Sequence, residues 1–438
     1  MPGIHRCCDG VDPVGIHAGR TWIIGVILVL EALFSQPSTA ATTEMGRDIV
    51  VPAQVFAGEP RGPYHTGTFE ALWINAAMDD PSTKAVGDAR KLMVQVWYPA
   101  TLPKHPRYAP YAISPQLYGR DHWVHDLAHV RTQSALDAPF AVGVERFPVL
   151  IYNHGAGNPH FSGTSQTEFL ASHGYVVVSV GHPDESDIER FPDGTSYRHD
   201  GSSFEVEMPM EPGRPLIERV EYAWAHSDLG LLVKDISFVL DRLEASNADP
   251  RHRLYKRLDL GRIGALGWSL GGFLSLQAGR DEPRIKAVAS LDGMNLSGLT
   301  GPHGVATLGS ERPLLLIFAD RQSEYFPLHP GAVLDEEKLE EMEVSWAASA
   351  HFWTMLRRST ASWYYVTIAR TDHAYYADRI LFFPERDPAQ LHPRAAHEII
   401  NEYLLEFFDR HLSGKETHAQ FLSGEKSFAD VRLLRRSQ

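Results

Sequence analysis

The stretch RIGALGWSLGGFLSLQAG, Arg262 to Gly279, sets Ser269 between glycines where a greasy run gives way to a helix-like one. The residues before the serine, Ile263 to Leu266, are apolar or small and suit a buried strand. Those after it, Leu270 to Ala278, are small and apolar at helical spacing. Gly267-Trp268-Ser269-Leu270-Gly271 is therefore predicted to occupy a strand-to-helix turn. That context gives a G-x-S-x-G pattern chemical meaning, because a sharp turn lifts the hydroxyl above the edge of a sheet. Glycines on both sides make room for the bend.

Working outward, further short apolar runs read as strands buried on both faces: Leu92–Tyr98, Val149–Tyr152, Val176–Val180, Ala287–Leu291, Leu314–Phe318 and Tyr364–Ile368. They are continuous rather than alternating, as a parallel sheet covered by helices requires. Helix-like segments lie between them: Thr164–His173 ending at Gly174, the long Glu218–Glu244, and Arg394–Leu412. The fold class is α/β, with a mostly parallel central sheet and helices on both faces. Pro183 to Pro215 is rich in proline, glycine and charge, with a turn at Phe191-Pro192-Asp193-Gly194. It reads as a lid-like excursion. Residues 41–414 are expected to form one domain, and residues 415–438 a loose tail.

A serine hydroxyl needs a base to take its proton and donors to hold the oxyanion that forms. One donor is the N–H of Leu270, at the start of the helix after the serine. A second comes from Asn153-His154-Gly155-Ala156-Gly157, directly after a strand, where Ala156 would present its backbone N–H. The base is expected late in the chain, and His373 follows the strand Tyr364–Ile368. His392, His397 and His411 are weaker rivals. Two aspartates, Asp292 and Asp320, each end a strand after the serine, and spacing alone does not choose between them.

These blocks together resemble the plasma-type, lipoprotein-associated platelet-activating-factor acetylhydrolase group of α/β-hydrolases. The resemblance is carried by Trp97-Tyr98-Pro99, Asn153-His154-Gly155-Ala156-Gly157, Gly174-Tyr175-Val176-Val177, His182-Pro183-Asp184, Gly267-Trp268-Ser269-Leu270-Gly271-Gly272, Ser290-Leu291-Asp292-Gly293-Met294, Ser323-Glu324-Tyr325-Phe326 and His373. It spans roughly Lys91 to Leu412. It implies the α/β-hydrolase fold and a serine ester hydrolase with Asp292 as the acid, and oxyanion donors at Ala156 and Leu270. It implies a phospholipid or other short-acyl ester as substrate, and no calcium. Trp268 departs from the family, which more often has histidine there, and Asp320 is an acid its close members do without.

The charge balance, −14 over 438 residues, with no basic cluster, argues against nucleic-acid binding. Trp22–Phe34 is an apolar run after Arg6 and Arg20, followed by Ser38-Thr39-Ala40, and reads as a secretory signal peptide over residues 1–40. A secreted or periplasmic location follows. The only cysteines, Cys7 and Cys8, would leave with it, so no thiol chemistry is expected. No cofactor or metal is expected. His122, His125 and His129 have metal-like spacing but read as an ordinary polar helix face. The aromatic segment Trp346–Met355 reads as a helix packed on the sheet, with weak lipid-surface contact as the lesser alternative. A polyester depolymerase or peptidase could use the same machinery. A non-catalytic binding protein on this scaffold would be expected to lack one of Ser269, His373 or the acid.

Overall fold

A computed structural model describes residues 62–80, 87–112, 129–186, 188–198, 229–293, 304–320, 350–382, 389–415 and 420–436, with residues 83, 124, 127 and 222 between them. Among these residues the strands are β1 (His65–Asp79), β2 (Ala89–Ala100), β3 (Tyr108–Pro110), β4 (Arg131–Leu136), β5 (Phe147–Asn153), β6 (Val176–Val180), β7 (Ile188–Arg190), β8 (Ser196–Arg198), β9 (Leu258–Trp268), β10 (Ile285–Leu291), β11 (Leu314–Ala319), β12 (Trp363–Ile368) and β13 (Val431–Arg436). The main sheet runs β13-β12-β11-β10-β9-β5-β6-β2-β1-β4-β3. Its centre, from β6 through β5, β9, β10 and β11 to β12, is parallel. This is the α/β-hydrolase architecture.

Each apolar run falls in a strand of the sheet. Every residue of β5 and β6 is buried. That is why these strands carry no alternation: helices cover both faces. The helices used below are α1 (Thr164–Ser172), α2 (Leu229–Ala248), α3 (Leu270–Asp281) and α4 (Pro393–Phe408). Gly174, at φ +104, turns the chain out of α1 toward β6. Helix α2 runs four residues past the expected Glu244. Residues 350–358 are helical, with Phe352, Met355 and Leu356 buried and Trp353 exposed. No described helix is long and apolar enough to cross a membrane.

Three expectations change. The loose tail after residue 415 instead includes β13, an antiparallel edge strand on β12. Its sequence VRLLRR has too little apolar content to announce a strand, and its arginines are the charges that guard an open edge. Accordingly the fold extends beyond residue 414. The excursion from Pro183 is not a plain lid loop over its described part. Residues 183–186 and 188–189 are buried, and β7 and β8 form a hairpin closed by Gly194 N–H on Phe191 O. Residues 199–215 lie outside the described set. Finally, β1, fifteen residues long, was not anticipated. It is antiparallel to β2 and half exposed toward its end, so its threonines and glutamate gave no apolar run.

Candidate active site

Register brings the site together. Leu291 of β10 is level with Trp268 of β9, and Ser269 donates its backbone N–H to Leu291 O at 3.0 Å. The next residue on each strand is therefore Ser269 or Asp292. Both leave their strands with positive φ, +56 for Ser269 and +46 for Asp292. For residues with a side chain this conformation costs roughly 1–3 kcal/mol each, a strain that clusters at working sites. The glycines around Ser269 do not carry the bend. A Cβ on Gly267 would lie 2.3 Å from the Gly271 backbone, and one on Gly271 would lie 2.0 Å from Asn153 O. They let the start of α3 press against the loop that follows β5.

His373 opens a short 3-10 helix, His373–Tyr376, capped by the Asp372 carboxylate on Ala374 N–H. Its Nε2 is 2.9 Å from Ser269 Oγ. Its Nδ1 is 2.6 Å from Asp292 Oδ2. Asp292 is fully buried, and its Oδ1 accepts the Ala319 N–H at 3.1 Å. A carboxylate on Nδ1 places the ring proton there and leaves Nε2 to accept the serine hydroxyl. Trp268 adds a tie the sequence did not suggest: its Nε1–H donates to His373 O at 3.1 Å, with the rings 5.1 Å apart.

Asp320 sits elsewhere. Its carboxylate is 3.7 Å from the Arg432 guanidinium of β13. His392 caps α4, His397 meets Ser165 Oγ at 2.7 Å, and His411 lies 3.3 Å from the Tyr364 hydroxyl. His122 and His125 lie outside the described residues. Among the described residues no group of histidines, cysteines or carboxylates is arranged to hold a metal.

Behind the loop after β5 lies a buried polar cluster that composition and motif did not reveal. Arg90, fully buried on β2, pairs with Asp80, Asp184 and Asp235. Burial alone would raise the Asp235 carboxyl, but Arg90, helped by His182, outweighs it and holds the group below the usual carboxylate range. His182 places Nδ1 3.2 Å from Asp235 and Nε2 3.1 Å from the Asn153 side-chain oxygen. Asn153 in turn donates to Ser275 of α3 at 2.9 Å. Nearby, His160 stands between Glu70 and Glu189 at 3.6 and 3.7 Å, ion-pair rather than hydrogen-bond distances. Burial opposes charge on this ring, yet the two carboxylates push its pKa up to about 9.

The family model described as platelet-activating factor acetylhydrolase, isoform II, matches residues 107–199. That stretch contains β5, the loop after it and the His182-Pro183-Asp184 block. A solved ferulic acid esterase from Streptomyces cinnamoneus aligns at TM-score 0.61 and 25% identity, over 86% of this chain and 98% of its own. The chain is an α/β-hydrolase similar to the platelet-activating factor acetylhydrolases. No curated protein matches its sequence. The family match and the esterase neighbour together indicate a serine carboxylic ester hydrolase of this acetylhydrolase-like kind, acting on a small ester.

Proposed function

We propose that this acetylhydrolase-like protein is a secreted or periplasmic enzyme that cleaves short acyl esters, phospholipid esters among them, through an acyl-enzyme on Ser269. The observation that carries this is the line Asp292–His373–Ser269, its first two members buried and its serine partly exposed, with separations of 2.6 and 2.9 Å. His373 Nε2 takes the hydroxyl proton as Ser269 Oγ bonds to the ester carbonyl carbon. The oxyanion is held by the backbone N–H groups of Ala156 and Leu270. The intermediate collapses, the carbon–oxygen bond to the alcohol breaks, and the imidazolium returns its proton to the departing alkoxide. Water then repeats the sequence on the acyl-enzyme and releases the acid. Asp292 keeps the ring oriented and stabilises its cation. The secreted location rests on residues 1–40 alone.

The test is hydrolysis of sn-2 acetyl against sn-2 palmitoyl phosphatidylcholine, beside p-nitrophenyl acetate and methyl ferulate. Ser269→Ala is expected to lose about 10⁴- to 10⁶-fold in kcat on whichever ester is cleaved. Acetyl release without palmitoyl release supports the short-acyl reading. Cleavage of the ferulate alone would move the substrate to aromatic acids, the class named for the structural neighbour. Retained activity in Ser269→Ala would overturn the assignment.

A further inference from the structure

We propose that His154 is a positioning residue that sets the oxyanion hole by holding the Gly155–Ala156 peptide plane. His154 is almost wholly buried directly after β5. Its Nδ1 lies 2.9 Å from the carbonyl oxygen of Gly155, and its Nε2 is 3.1 Å from the backbone N of His182. A carbonyl can only accept and an amide N–H can only donate. The ring is therefore the neutral tautomer with its proton on Nδ1, donating to Gly155 and accepting from His182. Burial and the neighbouring His182 hold its pKa down to about 3, so this tautomer persists across the working range of an esterase.

The consequence follows from peptide geometry. In a trans peptide the carbonyl and the N–H point in opposite directions from one rigid plane. The Gly155 carbonyl and the Ala156 N–H belong to the same plane. Whatever holds the first aims the second, and the second is the oxyanion donor of the proposed function. The plane lies beside the nucleophile: a Cβ on Gly155 would be 3.2 Å from Ser269 Cβ.

The far side of the ring anchors the loop. Ser186 Oγ also approaches Nε2, at 3.3 Å, and Gly157 N–H donates to Glu185 O at 2.7 Å. His154 thus ties the oxyanion loop to the buried base of the excursion, which the Arg90 and His182 cluster holds in turn. Asn158 assists, its backbone N–H on Gly155 O at 3.2 Å and its side chain on Ala156 O at 2.8 Å. Because Asn158 remains, loosening the plane costs less than deleting a donor outright, which removes about 10²- to 10³-fold.

The proposal rests on the ester-hydrolase reading, and two substitutions separate its parts. In His154→Asn the amide nitrogen falls where Nδ1 was and still donates to Gly155, while the acceptor for His182 is lost. In His154→Gln the amide oxygen reaches toward the Nε2 position and accepts from His182, while the donor to Gly155 is lost. The full-length protein would be assayed on p-nitrophenyl butyrate, with inhibition by phenylethyl boronic acid and melting temperature measured alongside. His154→Gln should lose about 30-fold in kcat and a similar factor in boronate affinity, with KM within about 3-fold. His154→Asn should lose no more than about 5-fold in either, whatever its change in melting temperature. Equal losses in the two variants, or a Gln variant as active as the parent, would overturn the proposal while leaving the esterase reading intact. A parent protein that neither hydrolyses esters nor is labelled at Ser269 by a fluorophosphonate would overturn both.

Discussion

His160 and His373 both sit against carboxylates, and their surroundings differ in kind. His160 is buried, with a glutamate near each ring nitrogen. Burial opposes charge on this ring, and the two carboxylates favour it, pushing its pKa up to about 9. His373 has one carboxylate on Nδ1, while Nε2 faces a serine hydroxyl. In the proposed mechanism that acid orients the ring and stabilises the cation formed when the ring takes the serine proton. A second acid would keep the ring charged and unable to accept a proton. What separates the two is the group at the second nitrogen, a carboxylate for His160 and a serine hydroxyl for His373.

The largest effect expected from breaking this contrast is at the working pair. Asp292→Asn should reduce kcat by about 10⁴-fold with little change in melting temperature, since the amide can still bond the ring but favours the wrong tautomer. Steady-state kinetics beside thermal melts would show it, and a loss under tenfold would count against the role given to Asp292.

Next comes the pH dependence of the structural histidine. The Glu189 and Glu70 carboxylates push the His160 pKa up to about 9, against the usual 6.5. Its stabilisation is complete below 6.5 and is lost as pH rises through 9. Urea unfolding is expected to show stability falling by about 3 kcal/mol across that window. A flat profile from pH 6.5 to 9 would mean that His160 is neutral in the fold.

Trp268→Phe keeps an aromatic ring beside His373 but removes the indole N–H on its carbonyl. A loss of about tenfold in kcat with unchanged KM is expected, near the worth of one hydrogen bond. No change in kcat would make the tryptophan a packing residue only. Smallest is Asp320→Asn, expected to leave kcat/KM within about 2-fold, because its partner is a surface arginine. A larger fall there than in Asp292→Asn would reverse the choice of acid.

Much of this was legible from the chain. Parallel strands buried on both faces announce themselves as unbroken apolar runs, and the serine turn stood out between one such run and a helical one. The acid was not readable from spacing. Asp292 and Asp320 both end strands, and only lateral register tells them apart. Leu291 is paired with both Trp268 and Ile317, so Asp292 is level with Ser269 and Asp320 lies beyond it. The resemblance to a family chose Asp292, and the geometry brings that residue to His373. The ties made by His154, His182 and Arg90 were hidden because each joins segments far apart in sequence. The half-exposed strand β1 and the charged edge strand β13 were missed because neither carries an unbroken apolar run buried on both faces.

The place of β9 in the sheet has a consequence for how the chain comes into being. β5 ends at Asn153, and β9, which must slot in beside it, begins only at Leu258. During synthesis the loop after β5 therefore emerges long before the serine turn that packs against it. Until β9 arrives, one flank of β5 is an open row of amides and carbonyls on a strand whose side chains are all apolar or aromatic but for Asn153. Such late, distant pairing is slow and leaves sticky surface in the interim. The nascent protein passes through a stage in which the middle of its own sheet is its most vulnerable edge.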